Sequence, residues 1–348
     1  MLKAEIIKYP LIFKTPGGTS RGVLREKDSW FIKLYQQDNP KVFGLGECSI
    51  IKKLSFDDRP DLYKRLTEFA NNINELKQEE LIEFPAINFA IETALLDLKQ
   101  KGNRILFPSA FTESTDSIYI NGLIWMGNAE FMRSQIKDKI ASGFHCIKLK
   151  IGAIDFETEL EIIKEIRNEF SEKDIEIRVD ANGAFSPFEA LSKLNRLSEL
   201  KLHSIEQPIM PGQYLEMAKL CELSPLPIAL DEELIGVFNK ENKEELLDQI
   251  KPQYIILKPS LIGGFKQSKE WIDIAEDNHI NWWVTSALES NIGLNAIAQW
   301  TFTLNNEMPQ GLGTGQLFTN NIPSPLVIEK GELHYSDQFN WDLSSINI

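Results

Sequence analysis

Two lysines stand at alternate positions of a strand-length apolar run that covers Cys146–Gly152. Because successive side chains of an extended chain point to opposite faces, Lys148 and Lys150 project from the same face. Exposed lysine pairs are common, so a strand with a solvated basic edge is one interpretation. The other is a site in which opposite charges meet these amines, and the strands that follow favour it.

Charged residues also end four later apolar runs. Three runs end in a carboxylate and one in a lysine, namely Asp180, Glu206, Asp231 and Lys258. Packing does not require a charge at the end of a buried strand, although each acid could separately cap a helix or pair with a lysine. Three converging carboxylates cannot all stay ionised without a cation among them. Oxygen ligands with no His or Cys nearby suit Mg²⁺, with Mn²⁺ as an alternative metal.

Lysines on both sides of a divalent cation suit the removal of a proton from a carbon next to a carboxylate. Such a carbon is a very weak acid, and a metal neutralises the charge of the resulting enediolate. A lysine acts as a base only when its pKa is brought toward neutrality, and a neighbouring amine and a cation have that effect. We therefore predict Lys150 as the base. Lys258, on the opposite face, is a second acid or base or a fixed positive charge.

The elements that position these residues are predicted by an alternation of strand and helix that begins at Ser117. Eight strands are predicted at Ile118–Leu123, His145–Ile151, Ile175–Asp180, Leu202–Glu206, Pro227–Asp231, Tyr254–Lys258, Trp282–Ser286 and Gln310–Gly313. Seven amphipathic helices are predicted between them, at Ala129–Ala141, Glu157–Glu169, Pro187–Leu200, Tyr214–Leu223, Lys243–Gln249, Phe265–Asp277 and Ile292–Leu304. This α/β pattern, with a repeat of about 25 residues, predicts a closed (β/α) barrel whose strand ends meet at one rim. A doubly wound open sheet has the same alternation, but no phosphate-binding glycine motif follows a strand.

The chain before the barrel has a different pattern. Strands are predicted at Ala4–Phe13, Arg21–Lys27, Ser29–Gln36 and Lys41–Glu47, and helices at Leu62–Leu76 and Pro85–Lys101. Strands followed by helices are typical of an α+β domain. We predict an N-terminal α+β capping domain at residues 1–115 and the barrel at residues 116–320. Residues 321–348 are expected to return to the capping domain as an added strand.

The composition indicates a globular protein that acts on a small molecule. The 348 residues are 43% hydrophobic and 25% charged, with a formal net charge of -14. This charge disfavours nucleic acid and anionic membranes as partners, and an anionic carboxylate substrate would need local cations. No apolar run reaches the roughly 18 residues of a membrane helix, and no signal-peptide core is present, so a cytoplasmic location is expected. The cysteines Cys48, Cys146 and Cys221 are interpreted as reduced thiols, and the choice between monomer and homo-oligomer stays open.

Five motifs, taken together, resemble the enolase superfamily and in particular its muconate-lactonising subgroup. They are Lys148-x-Lys150, Asp180-x-Asn182, Glu206-Gln207-Pro208, Asp231-Glu232 and Lys258-Pro259. The resemblance spans essentially the whole chain and implies a barrel of the modified TIM type with an N-terminal α+β capping domain. It implies Mg²⁺ binding by Asp180, Glu206 and Asp231, catalysis by Lys150 and Lys258, and substrate binding by Lys148 and Asn182.

Members of this subgroup share a core but differ in substrate, so local features must indicate the reaction. Thr285–Gly293 is similar to the Ser-rich segment of o-succinylbenzoate synthases that receives the succinyl side of the substrate, which makes Ser286 a substrate-binding candidate. Gly311–Gly315 lacks the Asp-x-Asp with which dipeptide epimerases hold an ammonium group. Two segments, Thr15–Gly22 and Gly46–Leu54, match the capping-domain loops that close over the site, and Arg21 there is either a site residue or a surface arginine.

The resemblance thus implies a Mg²⁺-dependent lyase of menaquinone biosynthesis that dehydrates a succinylated hydroxycyclohexadiene carboxylate. An N-acylamino acid racemase, or a related 1,1-proton transfer enzyme, is the alternative within the subgroup, with Lys150 and Lys258 as opposed bases. A non-catalytic barrel scaffold is the alternative from another class. Such a scaffold is expected to lack a metal ligand or a lysine, and the sequence retains all of them.

Overall fold

The computed structural model describes residues 1–19 and 22–346. The N-terminal part contains five strands and two helices: β1 (Leu2–Lys8), β2 (Leu11–Thr19), β3 (Gly22–Lys27), β4 (Ser29–Gln36), β5 (Asn39–Ser49), α1 (Leu62–Asn71) and α2 (Pro85–Lys99). An antiparallel sheet has the strand order β1-β4-β5, and β2 pairs with β3 as a separate hairpin. Strands followed by helices agree with the predicted α+β pattern. Arg21 lies outside the described residues.

Helix α2 packs closely against β5 because two glycines of that strand leave room for the helix backbone. A Cβ atom on Gly46 would lie 1.9 Å from the carbonyl oxygen of Ala90, and one on Gly44 would lie 1.9 Å from that of Ala94. Apolar side chains from the sheet and both helices then form a core of their own, which is separate from the barrel core. This packing supports β5 where it leads into the loop near the site.

The second part alternates strands and helices. Its strands are β6 (Ser117–Tyr119), β7 (Gly122–Ile124), β8 (Cys146–Lys150), β9 (Glu176–Asp180), β10 (Ser204–Glu206), β11 (Ile228–Leu230), β12 (Tyr254–Leu257) and β13 (Asn281–Val284). Its helices are α3 (Ala129–Ala141), α4 (Phe156–Glu169), α5 (Pro187–Ser198), α6 (Tyr214–Leu223), α7 (Lys240–Ile250), α8 (Pro259–Ile262), α9 (Gly264–Asp277) and α10 (Asn291–Thr303). Strands β7 to β13 form one parallel sheet in sequence order. Each of the seven predicted helices is present, and α8 is an additional short turn.

The two edges of this sheet are joined through Gln310 and Gly311. The Asn121 N–H, directly before β7, donates a 2.9 Å hydrogen bond to the Gln310 carbonyl, and the Gly311 N–H donates a 2.8 Å one to the carbonyl of Val284 in β13. The ring is therefore TIM-like, but the predicted eighth strand Gln310–Gly313 is reduced to isolated bridges. A side chain takes one ladder donor here, since the Val284 N–H donates a 2.7 Å hydrogen bond to Oε1 of Gln310 and not to a backbone carbonyl.

The predicted first barrel strand, Ile118–Leu123, is divided between two sheets. Strand β7 belongs to the barrel, whereas β6 pairs with β15 of a C-terminal hairpin formed by β14 (Leu326–Glu329) and β15 (Glu332–Tyr335). The prediction that the C-terminal segment adds a strand to the capping domain is therefore wrong. The last part of the segment does return to the capping domain, where Trp341 and Ile346 pack in a small apolar cluster with Phe31 and Leu45 of the capping sheet.

Side-chain caps fix where several barrel helices begin. Asn128 accepts a 2.9 Å hydrogen bond from the Phe131 N–H at the start of α3, and the Ser290 hydroxyl accepts a 3.1 Å hydrogen bond from the Ile292 N–H at the start of α10. Such caps satisfy donors that a helix N-terminus leaves free. Within the described residues, no helix combines the length and apolar character that crossing a membrane requires.

Candidate active site

The parallel pairing of the barrel strands brings the predicted charged residues to one end of the ring. Lys150 on β8 is the direct partner of Asp180 on β9, and Asp180 is in turn the partner of Glu206 on β10. Asp231 directly follows β11, and Lys258 directly follows β12. Since all these residues lie at the carboxyl ends of parallel strands, they face one rim, as the sequence predicted.

Two lysines of β8 contact the first two acids. The Lys148 amine lies 2.9 Å from Oδ2 of Asp180 and also donates a short hydrogen bond to Oε2 of Glu206. The Lys150 amine donates to Oδ2 of Asp180 at 2.9 Å and to Oδ1 of Asn182 at 2.7 Å. Lys148 is therefore between two acids, whereas Lys150 is held at the side by an acid and an amide.

Lys258 contacts the third acid from the other side of the ring. Its amine donates a short hydrogen bond to Oδ2 of Asp231 and lies 3.9 Å from Oε1 of Glu206. Strands β9, β10 and β11, which carry or precede the three acids, separate Lys258 from Lys150. The two predicted catalytic lysines therefore approach the carboxylates from different sides, which is the arrangement that chemistry on two faces of a substrate requires.

Burial and neighbouring charges shift the pKa values of the three acids in different directions. Burial raises the pKa of Asp180, but Lys148 and Lys150 outweigh it and hold that pKa below its ordinary value. For Asp231 the raising effect of burial is likewise outweighed, here by Lys258, and the pKa is lowered. Burial, together with the carboxylate of Asp180, raises the pKa of Glu206 to about 8. Glu206 is thus the acid whose ionised form would benefit most from an additional cation.

The two lysines nearest the acids are held in their charged form. Burial alone lowers the pKa of Lys148, but Asp180 and Glu206 outweigh it and raise that pKa above its ordinary value. Burial also lowers the pKa of Lys258, but Asp231 and Glu206 outweigh this effect and raise that pKa above its ordinary value. Both amines therefore act as fixed positive charges in this arrangement of the side chains.

The donor set suits a hard divalent cation. Asp180, Glu206 and Asp231 are buried and offer only carboxylate oxygens, which Mg²⁺ prefers. Oε1 of Glu206 is buried and receives no hydrogen bond from the described part of the chain. Within that same part, no three acidic, His or Cys side chains are close enough together to hold a metal ion, and the amines of Lys148 and Lys258 contact the acids instead. The chemistry of the three carboxylates thus fits Mg²⁺, and their assignment as ligands stays a prediction.

A cavity of about 370 Å³ opens beside the lysines that contact the acids. All five residues predicted for catalysis or substrate binding line it, namely Lys148, Lys150, Asn182, Lys258 and Ser286. The Ser286 hydroxyl shares a 2.5 Å hydrogen bond with the hydroxyl of Thr314. The structure therefore brings together every predicted site residue, although contact with a substrate remains a prediction for each of them.

Both predicted capping-domain segments contribute to this cavity, and the contribution of the first is shifted along the chain. Residues 22–26 of the β2–β3 hairpin line it, mostly beyond the predicted loop Thr15–Gly22, and residues 51–54 line it from the second segment. Three cations are among them, Arg25, Lys52 and Lys53. The capping domain therefore covers the barrel rim with charged as well as apolar side chains.

Sequence reasoning missed the wall that β7 and its neighbours provide. Asn121, Leu123 and Trp125 line the cavity at alternate positions, and the indole of Trp125 packs so closely on the hairpin that a Cβ atom on Gly17 would lie 2.9 Å from it. Oδ1 of Asn121 is buried and has no hydrogen-bond donor among the described residues. The alternation along Asn121–Trp125 was the available signal, because side chains on one face of a barrel strand point inward together.

The turns that follow two acid-bearing strands have unusual backbone conformations. Asn182 has a φ of 44° and Gln207 has a φ of 41°, values that residues other than glycine rarely adopt. The Gly183 N–H donates a 2.7 Å hydrogen bond to the Gln207 carbonyl, which ties the two turns together. Strained backbone of this kind is concentrated at functional sites, where the surrounding structure supports it.

Comparison with known proteins identifies the family. The family model described as Enolase C-terminal domain-like matches residues 132–339, which is more than half of the chain. The chain belongs to the enolase superfamily. This enolase-superfamily chain is 49% identical to an o-succinylbenzoate synthase from Desulfotalea psychrophila, over 94% of this chain and 97% of that protein. The resemblance to this superfamily that the five motifs indicated is therefore confirmed.

Two solved structures show how far the likeness of this superfamily member extends. The crystal structure of MenC from Desulfotalea psychrophila superposes with a TM-score of 0.85 and 44% identity, covering 96% of this chain and 99% of that one. A muconate lactonizing enzyme from Pseudomonas fluorescens superposes with a TM-score of 0.81 and 24% identity, covering 99% and 97%. The second likeness shows a common fold, whereas the first extends to closely related sequence.

Proposed function

We propose that this protein is an o-succinylbenzoate synthase. The reaction is the Mg²⁺-dependent syn-dehydration of 2-succinyl-6-hydroxy-2,4-cyclohexadiene-1-carboxylate to 2-succinylbenzoate and water, a step of menaquinone biosynthesis. The observation that carries the proposal is the 49% identity to such a synthase over 94% of the chain. The site supports it, because Lys150 and Lys258 line one cavity from different sides of the three acids.

The proposed reaction begins with proton transfer to Lys150. This amine lines the cavity and is oriented by Asp180 and Asn182, so it has a defined position beside the carbon next to the ring carboxylate. Removal of that proton leaves an enediolate. Lys150 then returns the proton to the departing hydroxyl on the same face, so that water leaves and the ring becomes aromatic.

Charge balance explains what the other residues contribute. Lys258 faces the intermediate from the opposite side and stabilises its negative charge, in part through a cation-π contact as the ring becomes aromatic. Lys148 supports Lys150 and the substrate carboxylate. Mg²⁺ held by Asp180, Glu206 and Asp231 would neutralise the charge that develops on the substrate carboxylate, and Mn²⁺ is a candidate substitute. Aromatisation supplies the driving force, so few further groups are needed.

The cavity also suits a substrate with two carboxylates and an apolar ring. Its walls combine apolar side chains such as Leu24 and Leu123 with the cations Arg25, Lys52 and Lys53. We assign Ser286 and Asn182 to substrate binding. The proposed partner is therefore a small anionic substrate, with no nucleic acid and no membrane involved, and menaquinone biosynthesis is consistent with a cytoplasmic location.

A 1,1-proton transfer on an N-acylamino acid is a second candidate. The observation that favours it is the position of Lys258 opposite Lys150, which would suit two bases that act on opposite faces of one carbon. A non-catalytic scaffold receives no support, because the three acids and three lysines of the site are all present. The two catalytic functions differ in which compound they convert, and this difference decides between them.

The test is turnover of the full chain with Mg²⁺. The expected result is conversion of the hydroxycyclohexadiene to 2-succinylbenzoate, followed by absorbance, with loss of activity on chelation by EDTA and recovery on adding Mg²⁺ back. The same preparation is incubated with N-succinylamino acids in deuterium oxide. Incorporation of deuterium at the α-carbon without any turnover of the cyclohexadiene would contradict the synthase proposal and support the racemase.

A further inference from the structure

Lys27 joins the end of the β2–β3 hairpin to the loop that follows β13. Its side chain is 4% exposed, and its amine donates hydrogen bonds to the carbonyls of Ala287 at 2.6 Å and Leu288 at 3.0 Å. The partners are separated by 260 and 261 positions in the chain. Burial of an ammonium group generally costs several kcal/mol, and these hydrogen bonds offset part of that cost.

The charges around Lys27 explain how the amine is tolerated there. Burial lowers the pKa of Lys27, while the carboxylates of Glu289 and Glu47 raise it. Glu47 accepts a 3.0 Å hydrogen bond from the Ser290 N–H, and Glu289 accepts one of 2.8 Å from the Ala287 N–H. Glu47 therefore binds the loop from β5, Glu289 closes a hydrogen bond within the loop, and Lys27 contributes the contacts to its carbonyl groups.

The loop that Lys27 holds forms part of the cavity wall. Thr285, Ser286, Ala287 and Leu288 all line the cavity. Leu288 has a φ of 62°, a conformation that costs a non-glycine residue roughly 1 kcal/mol. Its own N–H donates a 3.3 Å hydrogen bond to the Ser286 hydroxyl. Because the local chain does not favour this conformation, hydrogen bonds to the carbonyls on either side of it are needed to select it.

The other end of the connection is also part of the cavity. Lys27 is the last residue of β3, and residues 22–26 of that strand line the cavity from the capping domain. The Lys27 amine thus ties two cavity walls from different domains to each other. Lys150 and Lys258, by contrast, are held by Asp180, Asn182 and Asp231, which Lys27 does not contact.

We propose that Lys27 is a positioning residue for substrate binding, which sets the loop Ser286–Leu288 against the hairpin so that the part of the substrate remote from the catalytic lysines is held. The proposal rests on the proposed function, because it concerns the dehydration substrate. Loss of Lys27 is expected to change the position of the loop Ser286–Leu288 and to leave Lys150 and Lys258 in place. The expected effect is therefore on KM and not on kcat.

The test compares Lys27→Met and Lys27→Arg with the wild-type chain in the dehydration assay. Lys27→Met keeps most of the length of the side chain and removes the donor, so KM is expected to rise about ten-fold or more while kcat stays within about three-fold. Lys27→Arg retains a charged donor and is expected to recover part of the lost affinity. The exposed Lys41→Met serves as the matched control and is expected to leave KM unchanged.

Unpaired Glu289 and Glu47 would destabilise Lys27→Met, so folding is checked by circular dichroism. Where this variant does not fold, Lys27→Met/Glu289→Gln removes the cation together with one carboxylate, and its KM is measured instead. An unchanged KM, or a kcat that falls as much as kcat/KM, contradicts the positioning role. No turnover by the wild-type chain contradicts the proposed function and this inference with it, whereas wild-type turnover with unchanged KM in the folded variant contradicts this inference alone.

Discussion

Lys150 and Asp180 are direct partners in the pairing of β8 with β9, and the Lys150 amine donates a 2.9 Å hydrogen bond to Oδ2 of Asp180. The proposed base and a proposed metal ligand are therefore positioned by one pair of neighbouring strands. This arrangement holds the proton acceptor at a constant distance from the site where negative charge develops. Precise positioning of this kind accounts for a large part of enzymatic rate enhancement.

Replacement of Lys150 by Ala is expected to abolish dehydration. The variant loses the proposed general base, which typically lowers kcat by about 10²–10⁴-fold or more. Mg²⁺ binding, measured by calorimetry, is expected to persist because the three acids remain. Lys219→Ala, at an exposed lysine of α6, is the control and should retain full activity. A near-normal rate for Lys150→Ala would refute the assigned base.

Replacement of Lys258 by Ala is also expected to be severe, although in the synthase this residue moves no proton. Its amine contacts Asp231 and faces the cavity, so its loss leaves the negative charge of the intermediate without a stabilising cation on that side. We expect kcat to fall by about 100-fold or more. Turnover assays with saturating substrate measure this, and a kcat close to that of wild type would remove Lys258 from the catalytic set.

Addition of Mg²⁺ is expected to raise the melting temperature of the wild-type chain. A ligand that binds only the folded state at 100 times its Kd adds about 2.7 kcal/mol of apparent stability. Asp180→Asn removes one proposed ligand charge and is expected to lose most of this Mg²⁺-dependent rise, whereas Asp277→Asn, at an exposed position of α9, is expected to keep it. Equal rises in both variants would argue against Asp180 as a ligand.

Asp57 is expected to make stability depend on pH. Its carboxylate accepts a 2.9 Å hydrogen bond from the Ala86 N–H at the start of α2, and burial raises its pKa from 3.8 to about 7. Because the folded state holds this proton more tightly than the unfolded state, the free energy of unfolding falls as the pH rises from about 4 to about 7. Above pH 7 the full cost of the buried charge is present.

The variant Asp57→Asn tests this effect. An amide is neutral at every pH and still offers an oxygen to Ala86, so the variant is expected to lose about 1 kcal/mol or more of the wild-type decrease in stability between pH 5 and pH 8. Urea unfolding at the two pH values measures it, with Asp277→Asn as the control. An identical decrease in Asp57→Asn and wild type would show that Asp57 does not titrate in this range.

Much of the barrel site was predictable from local patterns. Asp180, Glu206 and Asp231 each end an apolar run, and parallel strands joined by helices must end at one rim. The same rule placed Lys150 and Lys258 on strands separated by the three acid-bearing ones. These inferences need only the order of the strands, which the alternation of strand and helix supplies.

Other features depended on contacts that no local pattern encodes. The eighth strand is reduced to isolated bridges, with the Val284 N–H bonded to the side chain of Gln310, and the C-terminal hairpin pairs with β6 instead of extending the capping sheet. Pairing of β15 with β6 joins residues more than 200 positions apart. A sequence pattern shows that such strands exist, but it does not select their partner.

The sequence by itself determined which residues can carry the chemistry and the order in which they occur around the ring, since strand and helix periods are local properties of the chain. Only the tertiary structure decided which surfaces enclose those residues. Lys27 reaches Ala287 across 260 positions, and Trp125 packs on Gly17 of the hairpin. These contacts arise from the docking of two domains, and the free energy of that docking depends on shape and charge at surfaces that are far apart in the sequence.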